Sequence, residues 1–118
     1  MDELIGDHAF NTATCSLVRP MALPMKMRVG VVELVRLFVP EESRGKGDAS
    51  QLLHNICREA DKQRKVIMLS VQADDTGLCA FYTRFGFQPI QAKPVLMARH
   101  PFAAPLKRSA IGDAVSVN

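Results

Sequence analysis

An apolar run that stops at a proline, then a basic glycine-bearing loop, then an amphipathic helix: this junction constrains the chain more than any other part of it. It reads Val39-Pro40-Glu41-Glu42-Ser43-Arg44-Gly45-Lys46-Gly47-Asp48-Ala49. Proline cannot extend a sheet ladder, so the strand ends there. A loop of this composition aims successive backbone N–H groups and a helix N-terminus at one point, which is how proteins hold phosphate oxygens. Behind it Ala49, Leu52, Leu53, Ile56, Cys57 and Ala60 recur at helical spacing, with Gln51, Asn55, Arg58, Glu59 and Lys62 on the wet side. Asp48 stands where an N-cap or first-turn acid belongs. Val66 to Val71 follows as a short apolar strand buried on both faces. Strand, helix, strand in this order predicts a right-handed parallel unit with the glycine loop at the carboxyl end of its first strand, where ligands bind.

The flanks carry less pattern. Val29 to Val39 is rich in β-branched residues and predicts one long strand. Strict alternation puts Val29, Val31, Glu33, Val35, Leu37 and Val39 on one face, with Glu33 the only charge there unless a β-bulge flips it. Before it, Asp2 is placed to cap a helical turn reaching Phe10, Cys15 to Arg19 predicts a brief strand, and Pro20 and Pro24 punctuate a turn. After it, Leu78, Phe81, Tyr82 and Phe85 form the stripe of a second helix, which Gly86 ends in a left-handed conformation with Phe87 packing back. Pro89 and Pro94 bracket a turn, Val95 to Arg99 is a final strand, and the residues from His100 onward read as a surface arm.

Composition narrows the classes. At 118 residues, 47% hydrophobic and 23% charged, the chain is an ordinary globular domain rather than a disordered segment. No apolar run is long enough to span a bilayer, and the acidic N-terminus lacks signal-peptide order. Cys15, Cys57 and Cys79 are scattered and odd in number, which argues against a disulfide framework or a metal site and for buried thiols in a reducing cytoplasm. His8, His54 and His100 share no ligand or triad spacing. A net charge of +3, one tyrosine and no tryptophan argue against a nucleic-acid module, for which stacking platforms are too scarce. A nucleotide P-loop is excluded, because Pro40 occupies its first glycine and Gly47 follows Lys46 where a hydroxyl residue is required. A dinucleotide-binding reading of Gly45-x-Gly47-x-x-Ser50 fails on chain length and on the four residues between strand and first glycine.

The order strand, Pro40, Arg44-Gly45-Lys46-Gly47-Asp48-Ala49, amphipathic helix, buried strand, then Phe81-Tyr82-Thr83-Arg84-Phe85-Gly86-Phe87 resembles the GNAT superfamily of acetyl-CoA-dependent N-acetyltransferases. The family's acyl-CoA signature, Gln/Arg-x-x-Gly-x-Gly/Ala, is matched by Arg44, Gly47 and Ala49. An aromatic-Tyr pair upstream of Gly-Phe is matched by Phe81, Tyr82, Gly86 and Phe87. The resemblance runs from about Val31 to Arg99. It implies an α/β (α+β) fold: a mixed central sheet with a β-α-β acyl-CoA-binding core. The division it implies is a single domain over 1–118, with a reduced N-terminal region at 1–28, the core at 29–99 and a C-terminal arm at 100–118. Some thirty residues precede the central strand, too few for the two helices that family members place there to wall the acceptor site.

The resemblance also implies a site. Backbone amides from Arg44 through Gly45, Lys46, Gly47, Asp48 and Ala49, with Ser50 beyond them, would cradle the pyrophosphate of acetyl-CoA, and Arg44 and Lys46 would add positive charge. The pantetheine arm would pair with backbone of Leu37, Phe38 and Val39 in a gap beside the strand at Val66 to Val71. An amide near Leu37 or Phe38 would serve the oxyanion. Tyr82 is similar to the family's general acid at the CoA sulfur, and Glu33 lies on the strand where some members carry the carboxylate that deprotonates the amine. The implied activity is transfer of acetyl from acetyl-CoA to a primary amine by direct attack in a ternary complex, without metal. The acceptor is a small molecule or a protein amine, with no membrane partner. The alternative is a non-catalytic module that binds acyl-CoA or a protein. An open front lined by Met21, Met25 and Met27 is compatible with a homodimer. Three positions depart from the family: Asp48, usually apolar, and Asp75 and Leu78, where Asn and Ala are common.

Overall fold

The computed structural model describes residues 4–20, 30–72, 74–92 and 95–102. Six strands form one mixed sheet: β1 (Gly6–Phe10), β2 (Ala13–Val18), β3 (Val31–Phe38), β4 (Val66–Val71), β5 (Gln88–Ala92) and β6 (Val95–Arg99). Helix α1 (Asp48–Gln63) joins β3 to β4, and α2 (Thr76–Thr83) follows β4. The spatial order is β1-β2-β3-β4-β6-β5, and β3 and β4 are the parallel pair, as the strand-helix-strand reading requires.

The α1 stripe is buried as its spacing demands. Leu52, Leu53, Ile56, Cys57 and Ala60 pack on Cys15 and Leu17 of β2, Val32 and Leu34 of β3, Ile67 and Leu69 of β4 and Met97 of β6. Tyr82 of α2 and the wholly buried Phe87 complete this core, so both helices lie on one face of the sheet. Burying each large side chain contributes about 1.5–3 kcal/mol. The other face carries no helix among the described residues.

Three readings of the sequence need correction. The helical turn expected to reach Phe10 is instead strand β1, paired residue for residue with β2 through a two-residue turn at Asn11-Thr12. Asn11 takes φ 53°, a left-handed value that asparagine tolerates well. The region bracketed by Pro89 and Pro94 contains strand β5, where a turn was expected from Pro89. The strand lies at the sheet edge, where a missing N–H is tolerated, and its register slips between Pro89 and Gln91. The alternation along β3 also breaks. Val32 and Leu34 face the core, while Val31, Glu33 and Val35 turn half-buried to the opposite face. Thr14 pairs with Phe38 and Ser16 with Val35, so three steps on β3 oppose two on β2. The extra residue is a β-bulge at Arg36, φ 58°, and beyond it Leu37 and Val39 pack against the core. Expectations for Asp2, Met21, Pro24, Met25, Met27, Val29, Pro94 and the arm beyond Phe102 lie outside the described residues.

At the far end of α1 the buried Arg99 ties three elements together. Its Nη1 and Nη2 donate to the Asp61 carboxylate at 2.8 and 3.3 Å, and its Nε donates to the Phe85 carbonyl just past α2 at 2.6 Å. The Phe102 N–H adds a 2.7 Å bond to the same carboxylate. Gly86, at φ 95°, then turns the chain so that Phe87 re-enters the core, as expected.

Candidate functional site

The parallel pairing of β3 with β4 is short. It joins Val31 to Val66, Val32 to Ile67 and Glu33 to Met68, and then the strands splay. The bulge at Arg36 bends β3 just past this fork. A cleft of about 310 Å³ opens between the strands, lined by Leu34, Val35, Arg36 and Leu37 of β3, Leu69 and Ser70 of β4, and Leu78 and Tyr82 of α2. The edge of β3 beyond Glu33 pairs with β2 on one side only, so its other side is available to an added strand.

Further along the same chain a second cavity, of about 360 Å³, is lined by Val39, Ser43, Arg44, Gly45, Gly47, Asp48, Ala49, Ser50 and Phe81. Gly45 and Gly47 both sit at φ 85°, which L side chains rarely adopt. Gly47 is the N-cap of α1 and offers no side-chain cap, so the first-turn amides of Asp48, Ala49 and Ser50 have no partner among the described residues. Uncapped amides at a helix N-terminus, beside glycines whose missing Cβ leaves the space open, suit a phosphate group. The chain therefore fits a ligand with a phosphate end in the cradle and a slender arm in the cleft.

The carboxylate of Asp48 is drawn away from the cradle. It accepts from Asn11 Nδ2 at 3.3 Å and from Thr12 Oγ1 at 2.9 Å, both on the β1–β2 turn. The Thr12 hydroxyl first, then the Asn11 amide, hold its carboxyl below the usual range. The part expected of Asp48 is that of its backbone amide, and Asp48 lines the cradle while its carboxylate is engaged by the β1–β2 turn. Arg44 is anchored, its Nε donating to the Val39 carbonyl at 2.9 Å, which occupies a backbone acceptor expected to meet the ligand arm. Lys46 is exposed and does not line the cradle.

Tyr82 is 4% exposed, its ring set between Phe81 and Phe87 at centroid distances of 5.5 and 5.4 Å. Its hydroxyl has no hydrogen-bond partner among the described residues, yet no buried polar side-chain atom there lacks one, so the hydroxyl faces the cleft. Burial, with Cys15 and Asp75 adding, pushes its pKa up to about 12. Burial likewise raises the Cys15 and Cys57 thiols to about 11, which leaves both neutral and unreactive. Asp75 caps α2, accepting from the Leu78 N–H at 3.0 Å, and so serves as a helix cap.

Three residues expected at the gap do not line the cleft: Glu33, Phe38 and Val39, the last of which lines the cradle instead. Glu33 sits at the last paired position of the fork, on the face away from Tyr82, and does not line the cleft. Phe38, 55% exposed, turns to that same face. There it borders a groove of about 560 Å³ with Asp7, Thr14, Ser16 and Arg36, the last of which also lines the cleft. Sequence reasoning missed Ser43, Phe81, Arg36 and Ser70 as lining residues. Phe81 stands inside the aromatic motif and was the one with a signal.

A family model described as the acetyltransferase (GNAT) family matches residues 7–87. No curated protein matches the chain. Among solved structures, an acyl-CoA N-acyltransferase from Pseudomonas aeruginosa is 26% identical over 75% of this chain and 59% of its own, with a TM-score of 0.56. The ribosomal-protein-alanine N-acetyltransferase of Brucella melitensis is 18% identical over 75% and 61%, TM-score 0.63. The PaiA N-acetyltransferase of Thermoplasma acidophilum, solved in complex with coenzyme A, is 18% identical over 75% and 53%, TM-score 0.58. The chain thus spans between 53% and 61% of the length of these three structures.

Proposed function

The chain belongs to the acetyltransferase (GNAT) family, and from that premise we propose that it transfers an acetyl group from acetyl-CoA to a primary amine. One observation carries the reading: the forked cleft and the uncapped glycine cradle lie end to end along β3, with a tyrosine hydroxyl facing the cleft. The cradle amides of Gly45 and of Gly47 to Ser50 take the pyrophosphate. The arm runs along the free edge of β3 and places the thioester at the bulge. The bulged backbone near Leu37 supplies an N–H to the carbonyl oxygen as negative charge develops there. The amine nitrogen bonds to the carbonyl carbon, the C–S bond breaks, and the thiolate takes the Tyr82 proton while the nitrogen loses one to solvent or a base. Glu33, on the opposite face at the fork, acts as that base through water. The same reading places the protein in the reducing cytoplasm, which suits its three free thiols.

Incubation with acetyl-CoA and a panel of primary amines is expected to release CoA thiol only when both are present, and acetyl-CoA alone is expected to raise the melting temperature. Stabilisation without thiol release across the panel would favour the binding module instead, a reading that Glu33's position off the cleft supports. No stabilisation at millimolar acetyl-CoA would remove the donor assignment altogether.

Tyr82→Phe is expected to lower kcat about ten- to a hundredfold with little change in KM for acetyl-CoA, the low end for a general acid because a thiol of pKa about 8.5 leaves readily. With its pKa near 12, Tyr82 stays protonated where an ordinary tyrosine titrates, near pH 10. The wild-type rate should therefore climb with amine deprotonation and hold a plateau through that range. A fall centred near pH 10, absent in Tyr82→Phe, would contradict this.

A further inference from the structure

An acid at the first residue of α1 stands where it can spoil an anion site in two ways. Released, a side chain there reaches back to the amides of its own helical turn, or it sets a negative charge beside the phosphates. Here Asp48 does neither. Both of its oxygens are taken by a hairpin turn more than thirty residues away in sequence: Oδ1 by Asn11 Nδ2 at 3.3 Å and Oδ2 by Thr12 Oγ1 at 2.9 Å. Asp48 is a buried residue that lines the cradle together with Gly47, Ala49 and Ser50, yet both oxygens of its carboxylate are committed to the turn. Asn11 holds its place by accepting a left-handed backbone conformation.

We propose that Asn11 and Thr12 are positioning residues for the donor site, forming a latch that draws the Asp48 carboxylate off the cradle and keeps the first-turn amides of α1 open to pyrophosphate. The latch rests on the acetyl-CoA reading above, and it adds a role for the β1–β2 hairpin, which does not line the cradle and reaches it through Asp48. It also makes the geometry of that hairpin, whose outer face borders the groove at Asp7 and Ser16, part of what sets donor affinity.

The test is calorimetric binding of CoA to the full chain, with S-acetylpantetheine, which has no pyrophosphate, followed in parallel by thermal shift. In Asn11→Ala/Thr12→Val the CoA Kd should rise about tenfold, the size expected for one like charge released within a helical turn of the phosphates. The rise should shrink as salt is added, and the response to S-acetylpantetheine should match wild type. Adding Asp48→Asn to this double variant should restore CoA binding to within about twofold of wild type, since an unlatched neutral side chain no longer opposes the anion. A purely structural contact behaves differently: both ligands weaken, and Asp48→Asn, which also disturbs the latch, repairs nothing. That pattern, or an unchanged CoA Kd in the double variant, overturns the proposal. If the double variant does not fold, Thr12→Val alone is read by the same criteria. A wild-type chain that binds no CoA overturns the donor reading and the latch with it, whereas wild-type binding indifferent to the variants overturns the latch alone.

Discussion

Gly47→Val is expected to weaken acetyl-CoA binding more than about a hundredfold while leaving the sheet and both helices folded. Gly47 sits at φ 85°, ψ 7°. An ordinary L residue there costs about 1–2 kcal/mol, and a β-branched one more. A Cβ built at this position meets nothing within 4 Å, so the free protein has room for the side chain. That room is the cradle itself, and the side chain would stand where phosphate oxygens must approach the amides of α1. The variant loop therefore has two responses, both against binding. It relaxes to negative φ and turns its N–H groups away, or it stays and blocks the cavity. Gly47→Ala separates these effects: strain alone predicts about a five- to thirtyfold loss, since each 1.4 kcal/mol is a factor of ten. Calorimetric titration with circular dichroism as a fold control decides the matter. A valine variant that binds within threefold of wild type would mean that the phosphate lies elsewhere.

That cradle was legible because its determinants are local. Pro40, the two glycines and the α1 stripe occupy one continuous stretch, and each acts through backbone constraints or helical periodicity that need no distant partner. The hairpin was not legible, because β1 becomes a strand only by pairing with β2, and its five residues have no period of their own. The bulge at Arg36 leaves no mark in composition. A single extra residue reverses which side chains of β3 meet the core, and with valine or leucine at most positions either register reads as apolar. Asp48 looked like a flaw in the site because its partners, Asn11 and Thr12, lie across the fold rather than along the chain. Glu33 shows the converse limit: strand position placed it at the fork, but the face it takes depends on where the bulge falls.

The largest effect on stability is expected at Arg99. Replacing it by alanine should lower the unfolding free energy by about 3 kcal/mol or more, the cost of breaking a buried ion pair by removing one partner. The guanidinium is 6% exposed and the Asp61 carboxylate 19%, so water replaces the lost bonds only in part. The Phe85 carbonyl loses its 2.6 Å donor as well, and Asp61 keeps the Phe102 N–H. Burial alone would raise the Asp61 carboxyl, yet the bonds from Arg99 and Phe102 hold it below the ordinary range. A carboxyl with a depressed folded pKa adds stability above its unfolded value, near 3.9, and loses it as pH falls through the folded one. The gap between wild type and Arg99→Ala should therefore be widest near neutrality and close in acid. Arg99→Met with Asp61→Leu, which removes both charges and keeps volume, should recover much of the loss, as such swaps often do. Urea unfolding at neutral and acidic pH reads all three. A neutral-pH loss under 1 kcal/mol would show that the pair is only a surface contact. Because the Phe85 carbonyl closes the chain segment that carries Tyr82, Arg99→Lys, which keeps the charge but not the forked geometry, should lower kcat before it lowers stability far enough to unfold the protein.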